Sequence, residues 1–208
     1  MTPLAGAVRH RLTPPAPTPP LLTERSPRAR QIVDAASTIL EDEGLGGLTM
    51  RRVGAALGIR APSLYKHLAG RPALELALVE DGLARMGTAL HRSVDVAPHA
   101  RITSLLDAYR ATGLGGPELY RLATSASFPR AGLPDGLEAW AGEPFFLAAG
   151  EPYLAQALWS FAHGTMLLEL DRRFLDGSEV TRTWEAGAGA FEAARQALAG
   201  LPAQPHVR

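Results

Sequence analysis

Between Ser26 and Gly70 the chain opens a helix three times and closes it three times, which leaves room only for short helices joined by tight turns. Ser26-Pro27 is a start: serine is a favoured N-cap, and proline suits the first helical position, where a missing N–H costs nothing. Apolar Ile32, Ala36, Ile39 and Leu40 then recur on one helical stripe, and Gly44 stops it. Thr49 caps a second helix, expected over Met50–Leu57, with Val53, Ala56 and Leu57 inward and Gly58 as the break. The third is expected over Ala61–Leu68, with Pro62 in its first turn and Gly70 ending it.

Two short helices joined at a glycine turn make a helix-turn-helix unit. Ala55 and Ala56 are expected to keep the second helix slim so that the third crosses it closely. Ile59 and Leu64 pin the third helix inward. Arg60, Ala61, Ser63, Lys66 and His67 are left outward, with Tyr65 near the edge. Donors for phosphates and base edges, among small residues, suit the major groove of DNA. Lys66 is the only lysine of the chain. Thr49 can offer its hydroxyl and backbone N–H to a phosphate.

Overall charge is zero, but its distribution is uneven. Residues 1–72 hold ten Lys and Arg against five Asp and Glu, a net +5; residues 73–208 hold eleven against sixteen, a net −5. A basic end on an acidic body fits docking on phosphate through that end. The chain has no cysteine, which excludes disulfides and thiolate-bound zinc. No apolar run approaches the roughly 20 residues of a membrane span, and the first residues lack a signal peptide's apolar core. A cytoplasmic protein without a membrane partner is expected.

Residues 1–24 read as a disordered Pro-rich tail, and 201–208 as a flexible C-terminus. Residues 25–75 read as the helix-turn-helix domain and 76–200 as a helical domain. The fold class is all-α. A fourth helix is expected from Arg71-Pro72 to about Arg92. Helical patterns follow at Ile102–Tyr109 and Leu119–Ala123. Phe128–Gly142, rich in Gly and Pro, reads as a loop with a short helical turn. Two further helices are expected over Glu151–Leu175 and Ser178–Ala199.

Residues 28–80 resemble the DNA-binding domain of the tetracycline-repressor (TetR) family. The resemblance is carried by Arg30-x-Ile32 through Ala35-Ala36, Gly44, Leu48-Thr49-Met50-x-x-Val53-Gly54-x-x-Leu57-Gly58-Ile59, Ala61-Pro62-Ser63-Leu64-Tyr65-Lys66-His67-Leu68 and Arg71-x-x-Leu74. It implies a homodimer on a palindromic operator in double-stranded DNA. Thr49, Tyr65, Lys66 and Arg71 would meet phosphates; Arg60, Ala61, Pro62, Ser63 and His67 would face bases or backbone. Two positions depart from the family: Arg71 stands where lysine is usual, and Leu68 where phenylalanine is usual. Arg71 keeps the charge.

Trp159-x-x-x-His163-Gly164 resembles the C-terminal domain of a family subgroup with a Trp-His-Gly signature. Trp159, His163, Met166, Leu167 and Leu170 share one helix face by spacing. Residue by residue that face reads as core; for the domain, the resemblance implies a pocket for a small-molecule effector. Candidate lining residues are Tyr109, Tyr120, Phe128, Trp159, His163, Met166 and Leu167, with Trp140, Phe145 and Phe146 as further aromatics. Candidate dimer-interface residues are Leu168, Arg172, Trp184, Gly187, Ala190 and Phe191. The small residues of the last helix serve either a dimer contact or packing within the monomer.

No Ser-His-acid set, paired carboxylates, H-E-x-x-H ligands or phosphate-cradling loop is present in the sequence, so no catalytic residue, metal site or cofactor is expected. Glu41, Asp42 and Glu43 read as a solvated helix end. The expected function is a ligand-responsive, DNA-binding transcriptional regulator, most simply a repressor released by its effector. The alternatives are a helical interaction protein or a small-molecule-binding enzyme.

Overall fold

Ser26 and Pro27 open the first helix by the chemistry expected of them. In the structure, a computed structural model that describes residues 19–199, α1 runs Pro27–Gly47, and the Ala29 N–H donates to Ser26 Oγ at 3.2 Å. Gly44 adopts φ +69° and interrupts the helical dihedrals, so the expected stop is a break with a further turn beyond it. α2 runs Met50–Ala56, and the Arg52 N–H donates to Thr49 Oγ1 at 3.1 Å. Gly58, at φ +66°, makes the turn.

The third helix is shorter than its sequence pattern. α3 spans Ala61–Leu64 only. Beyond it, the N–H groups of His67 and Leu68 both return to the Leu64 carbonyl, at 2.9 and 3.0 Å. A carbonyl shared between i+3 and i+4 donors marks a tightened terminal turn rather than further α-helix.

α4 follows over Arg71–Ser93, then α5 over Arg101–Leu114, α6 over Pro117–Thr124, α7 over Leu137–Ala149, α8 over Pro152–Leu170 and α9 over Val180–Ala199. Short 3-10 turns lie at Pro98–Ala100 and Arg130–Gly132. Among the described residues there is no strand, and the fold is all-α.

Two expected boundaries move. The loop expected over Phe128–Gly142 gives way to α7 at Leu137, where Leu137, Ala141, Phe145 and Ala148 are buried at helical spacing. Burial of that face outweighs Gly142 and Pro144, which sit inside the helix. α8 ends at Leu170 instead of Leu175 because Arg172 takes φ +53° and Leu175 is exposed.

The chain divides into two compact units. One comprises residues 19–87 and 112–141, and the expected domain boundary at 75/76 falls within α4. Its core joins Ile32, Ala36, Ile39 and Leu40 of α1 to Val53, Leu64, Leu74 and Leu78, and takes in Leu119, Leu122 and Phe128. Glu41 belongs to this joint and not to a solvated end. Its carboxylate accepts the N–H groups of Glu118 and Leu119 at 3.1 and 2.9 Å, capping the orphan donors of α6. Glu43 pairs with Arg52 at 2.6 Å.

The other unit comprises residues 88–111 and 142–199 of the described chain. Glu169 ties three of its helices together. It accepts from Arg110 of α5 at 2.6 Å and from the Trp184 indole N–H of α9 at 2.8 Å. The Arg110 guanidinium lies 5.9 Å from the Trp184 ring centroid. The residues expected in the two terminal segments, 1–24 and 201–208, lie outside the described residues, except 19–24.

Candidate nucleic-acid interface

The face begins with a close crossing. A Cβ added at Gly54 would come 2.9 Å from the Ile59 carbonyl and 3.3 Å from the Ala61 nitrogen. Gly54, buried in the middle of α2, is therefore what lets the start of α3 approach. Ala55 and Ala56, expected in that role, are exposed. The Ile59 N–H donates to the Gly54 carbonyl at 2.9 Å, which fixes the crossing through backbone. Backbone atoms cannot yield as a flexible side chain does. Gly54→Ala is thus expected to destabilise the unit, although alanine is favoured by about 1 kcal/mol in a helix interior. Urea midpoints of the two proteins check the sign; a more stable variant would contradict the crossing.

Leu64 is fully buried and anchors α3. Arg60, Pro62, Ser63, Tyr65, Lys66 and His67 are exposed, and Ala61 is half-buried. The structure thus brings these expected residues together on one short element and its following turn. The Tyr65 ring edge lies 3.6 Å from the Cβ position of Gly70, where φ is +97°. A Cβ there would make only an ordinary contact with the ring; it is the positive φ that calls for glycine at this turn.

Thr49 is exposed at the start of α2. Its oxygen accepts from Arg52, so its O–H remains a donor. Arg71 is more restrained than the sequence suggests. Its Nε donates to Glu75 at 2.6 Å and an Nη donates to the Leu45 carbonyl at 3.0 Å. Those bonds orient a guanidinium that has five donors in all.

One exposed cation escaped the sequence reasoning. Arg51, in the first turn of α2, makes no ion pair with another described residue, and neither do Arg60 and Lys66. Its neighbour Arg52 is held instead by Glu43, whose hydrogen bond keeps that guanidinium above its ordinary range. The signal was available, since two adjacent arginines behind an N-cap place at least one outward.

The residues expected to line a pocket fall in both units. Tyr120 and Phe128 belong to the helix-turn-helix unit, where Phe128 sits in the apolar core. Tyr109, Trp159, His163, Met166 and Leu167 belong to the other unit. The buried face of α8 is Ala155, Leu158, Ala162, Thr165 and Met166. Trp159, expected on that face, is half exposed and stacks on His163 at 5.7 Å between ring centroids. Burial lowers the pKa of His163, favouring its neutral form.

Of the candidate interface residues, Trp184 and Gly187 are used within the chain. Trp184 is buried edge-to-face on Phe161, and a Cβ at Gly187 would collide with the Phe161 ring. Leu168 and Phe191 are half-buried, and Arg172 and Ala190 are exposed.

These features define an all-helical protein with an N-terminal helix-turn-helix and an exposed cationic face. Residues 32–78 match the family described as bacterial regulatory proteins, tetR family. Over 95 residues, 45% of this chain and 50% of that protein, the sequence is 30% identical to an uncharacterised HTH-type transcriptional regulator, YobS, of Bacillus subtilis. Over 54 residues it is 43% identical to the class D tetracycline repressor of Escherichia coli, covering 26% of this chain and 25% of that one. The chain therefore matches half or less of the length of these relatives. A solved structure of a TetR variant from Acinetobacter baumannii AYE, in complex with minocycline, superposes with a TM-score of 0.60 at 19% identity, over 80% of this chain and 95% of that one. The tetR-family match thus covers the helix-turn-helix segment, residues 32–78, and the solved structure shares the fold.

Proposed function

We propose that this protein is a ligand-responsive DNA-binding transcriptional regulator, a non-enzymatic repressor released from a palindromic operator by a small molecule. The observation that carries the reading is the recognition face. Arg60, Pro62, Ser63, Tyr65, Lys66 and His67 are exposed on an element held by buried Leu64 and by the Gly54 crossing. Arg51 extends the cationic surface to α2. Thr49 and Arg71 flank it, with donors to spare.

A homodimer is supported by helical glycines whose Cβ positions no other described residue crowds. Gly164 and Gly189 sit inside α8 and α9, and a Cβ at either would meet no atom within 4 Å. Interior helical glycine costs about 1 kcal/mol against alanine, a cost offset where a second helix approaches closely. Exposed Ala190 and half-buried Leu168 and Phe191 lie on the same two helices.

In the dimer, two recognition elements about one DNA turn apart, roughly 34–36 Å, would read two half-sites. The effector binds better to the conformer with the wrong spacing and shifts the population toward it. Relatives support such a ligand: the Acinetobacter protein was solved with minocycline. Retardation of DNA from upstream of the chain's own gene tests the proposal. A folded dimer that retards no such fragment at low salt overturns it.

A further inference from the structure

Glu143, on α7, is a buried carboxylate that the DNA-binding reading leaves unexplained. Its side chain is only 10% exposed, and its Oε1 is buried without a hydrogen-bond donor from any described residue. Its Oε2 lies 3.9 Å from Nε2 of His91, near the end of α4, whose side chain is 14% exposed. That separation is attractive electrostatically but is too long for a hydrogen bond. α7 itself contains no lysine or arginine. A buried carboxylate with an unmet oxygen forfeits a large part of its hydration, and native structures keep such a group where something else meets it.

We propose that Glu143, backed by His91, is the polar end of the effector site and that the effector is an organic ammonium ion with an apolar body. The inference rests on the reading of the chain as ligand-responsive and adds the class of ligand. An ionised carboxylate only accepts hydrogen bonds, so the group that meets Oε1 is a donor. A cationic donor gains more than a hydroxyl, because the opposite charge compensates a carboxylate already out of water. An anionic effector would bring a second negative charge to the same place. Phe146 is half-buried one helical turn from Glu143, where its ring can cover an ammonium. No group of three or more His, Cys, Asp or Glu that could hold a metal ion occurs among the described residues, so the pair suits an organic cation better than a metal.

The test titrates the full chain with three matched probes, phenethylamine, phenethyl alcohol and phenylacetate, by calorimetry near neutral pH. The amine is expected to bind about tenfold or more tightly than the alcohol, and phenylacetate more weakly than either. In Glu143→Gln the preference for amine over alcohol should vanish. The proposal is overturned if the alcohol or the acid matches the amine, if the amine does not bind, or if folded Glu143→Gln keeps the preference. Should that variant fail to fold, the wild-type comparison decides alone. Gel retardation run in parallel separates the two readings. A protein that retards DNA but does not prefer the amine loses the ammonium site and keeps the regulator. One that prefers the amine but retards no DNA keeps a cation site and loses the regulator.

Discussion

Lys66→Ala should lower operator affinity by about two to four orders of magnitude while leaving the fold intact. Lys66 is exposed, follows directly on α3 and makes no ion pair with another described residue, so its charge is available to a phosphate. A hydrogen bond to a charged group contributes about 1.5–3 kcal/mol, and the proposed symmetric dimer would lose it twice, at about 1.4 kcal/mol per decade of affinity. The salt dependence gives a second, independent readout. Each neutralised phosphate contributes about 0.9 to the slope of log affinity against log salt, so two lost contacts flatten it by about 2. Fluorescence anisotropy with labelled operator at several salt concentrations measures both quantities. Arg182→Ala is the control for bulk charge, because Arg182 is exposed on α9 and paired with Glu179. It should leave affinity and slope unchanged. Urea denaturation of Lys66→Ala should stay within about 0.5 kcal/mol of the parent, as for other exposed substitutions. Equal losses in both variants would mean that net charge, and not the recognition face, drives binding.

The recognition face was legible because its makers are local. Ser26 and Thr49 cap helices three residues away, and Gly58 turns the chain where it stands. Such residues act on their own backbone, so the sequence states their role directly. What escaped depends on partners distant along the chain. Gly54 looks like a weak helix residue until the carbonyl of Ile59 lies against it. Glu41 looks like a solvated end, yet the N–H groups it caps are 77 and 78 residues away. α7 was hidden by Gly142 and Pro144, whose local cost is overridden by burial of Leu137, Ala141 and Phe145. The apolar spacing of α8 also misleads about direction. Trp159 shares a period with Met166, but the buried face is turned toward Leu158 and Ala162. Periodicity establishes that a helix is amphipathic; the width of its apolar stripe leaves the centre of burial undetermined.

A second large effect is expected far from the recognition face, at Arg25. This residue precedes the Ser26 cap, and its guanidinium pairs with both Glu80 and Asp81 of α4, the latter at 2.6 Å. The Thr23 N–H also donates to Glu80, at 2.5 Å. Arg25 is 10% exposed and Glu80 5%, so this is a buried ion pair with a partly open flank at Asp81. Burying two charges is costly, and the pair recovers that cost only while both members are present. Arg25→Ala should therefore destabilise the unit by about 3–5 kcal/mol, since it strands the Glu80 carboxylate out of water. Asp81→Ala should cost much less, because Asp81 is about one-third exposed and Glu80 still holds the arginine. The double change Arg25→Met with Glu80→Met should recover most of the loss, since the one charge left without its partner is Asp81, which is about one-third exposed to water. Denaturant midpoints for the single and double variants complete a mutant cycle, and its coupling term isolates the pair. Added salt should change the coupling little, as screening acts mainly on exposed charges. Independent, additive losses from Arg25→Met and Glu80→Met would show that the segment before α1 is held by packing instead. The coupled outcome would make Arg25 the tie that fixes the entry of α1 against α4, and with it the frame on which Leu64 seats the recognition element.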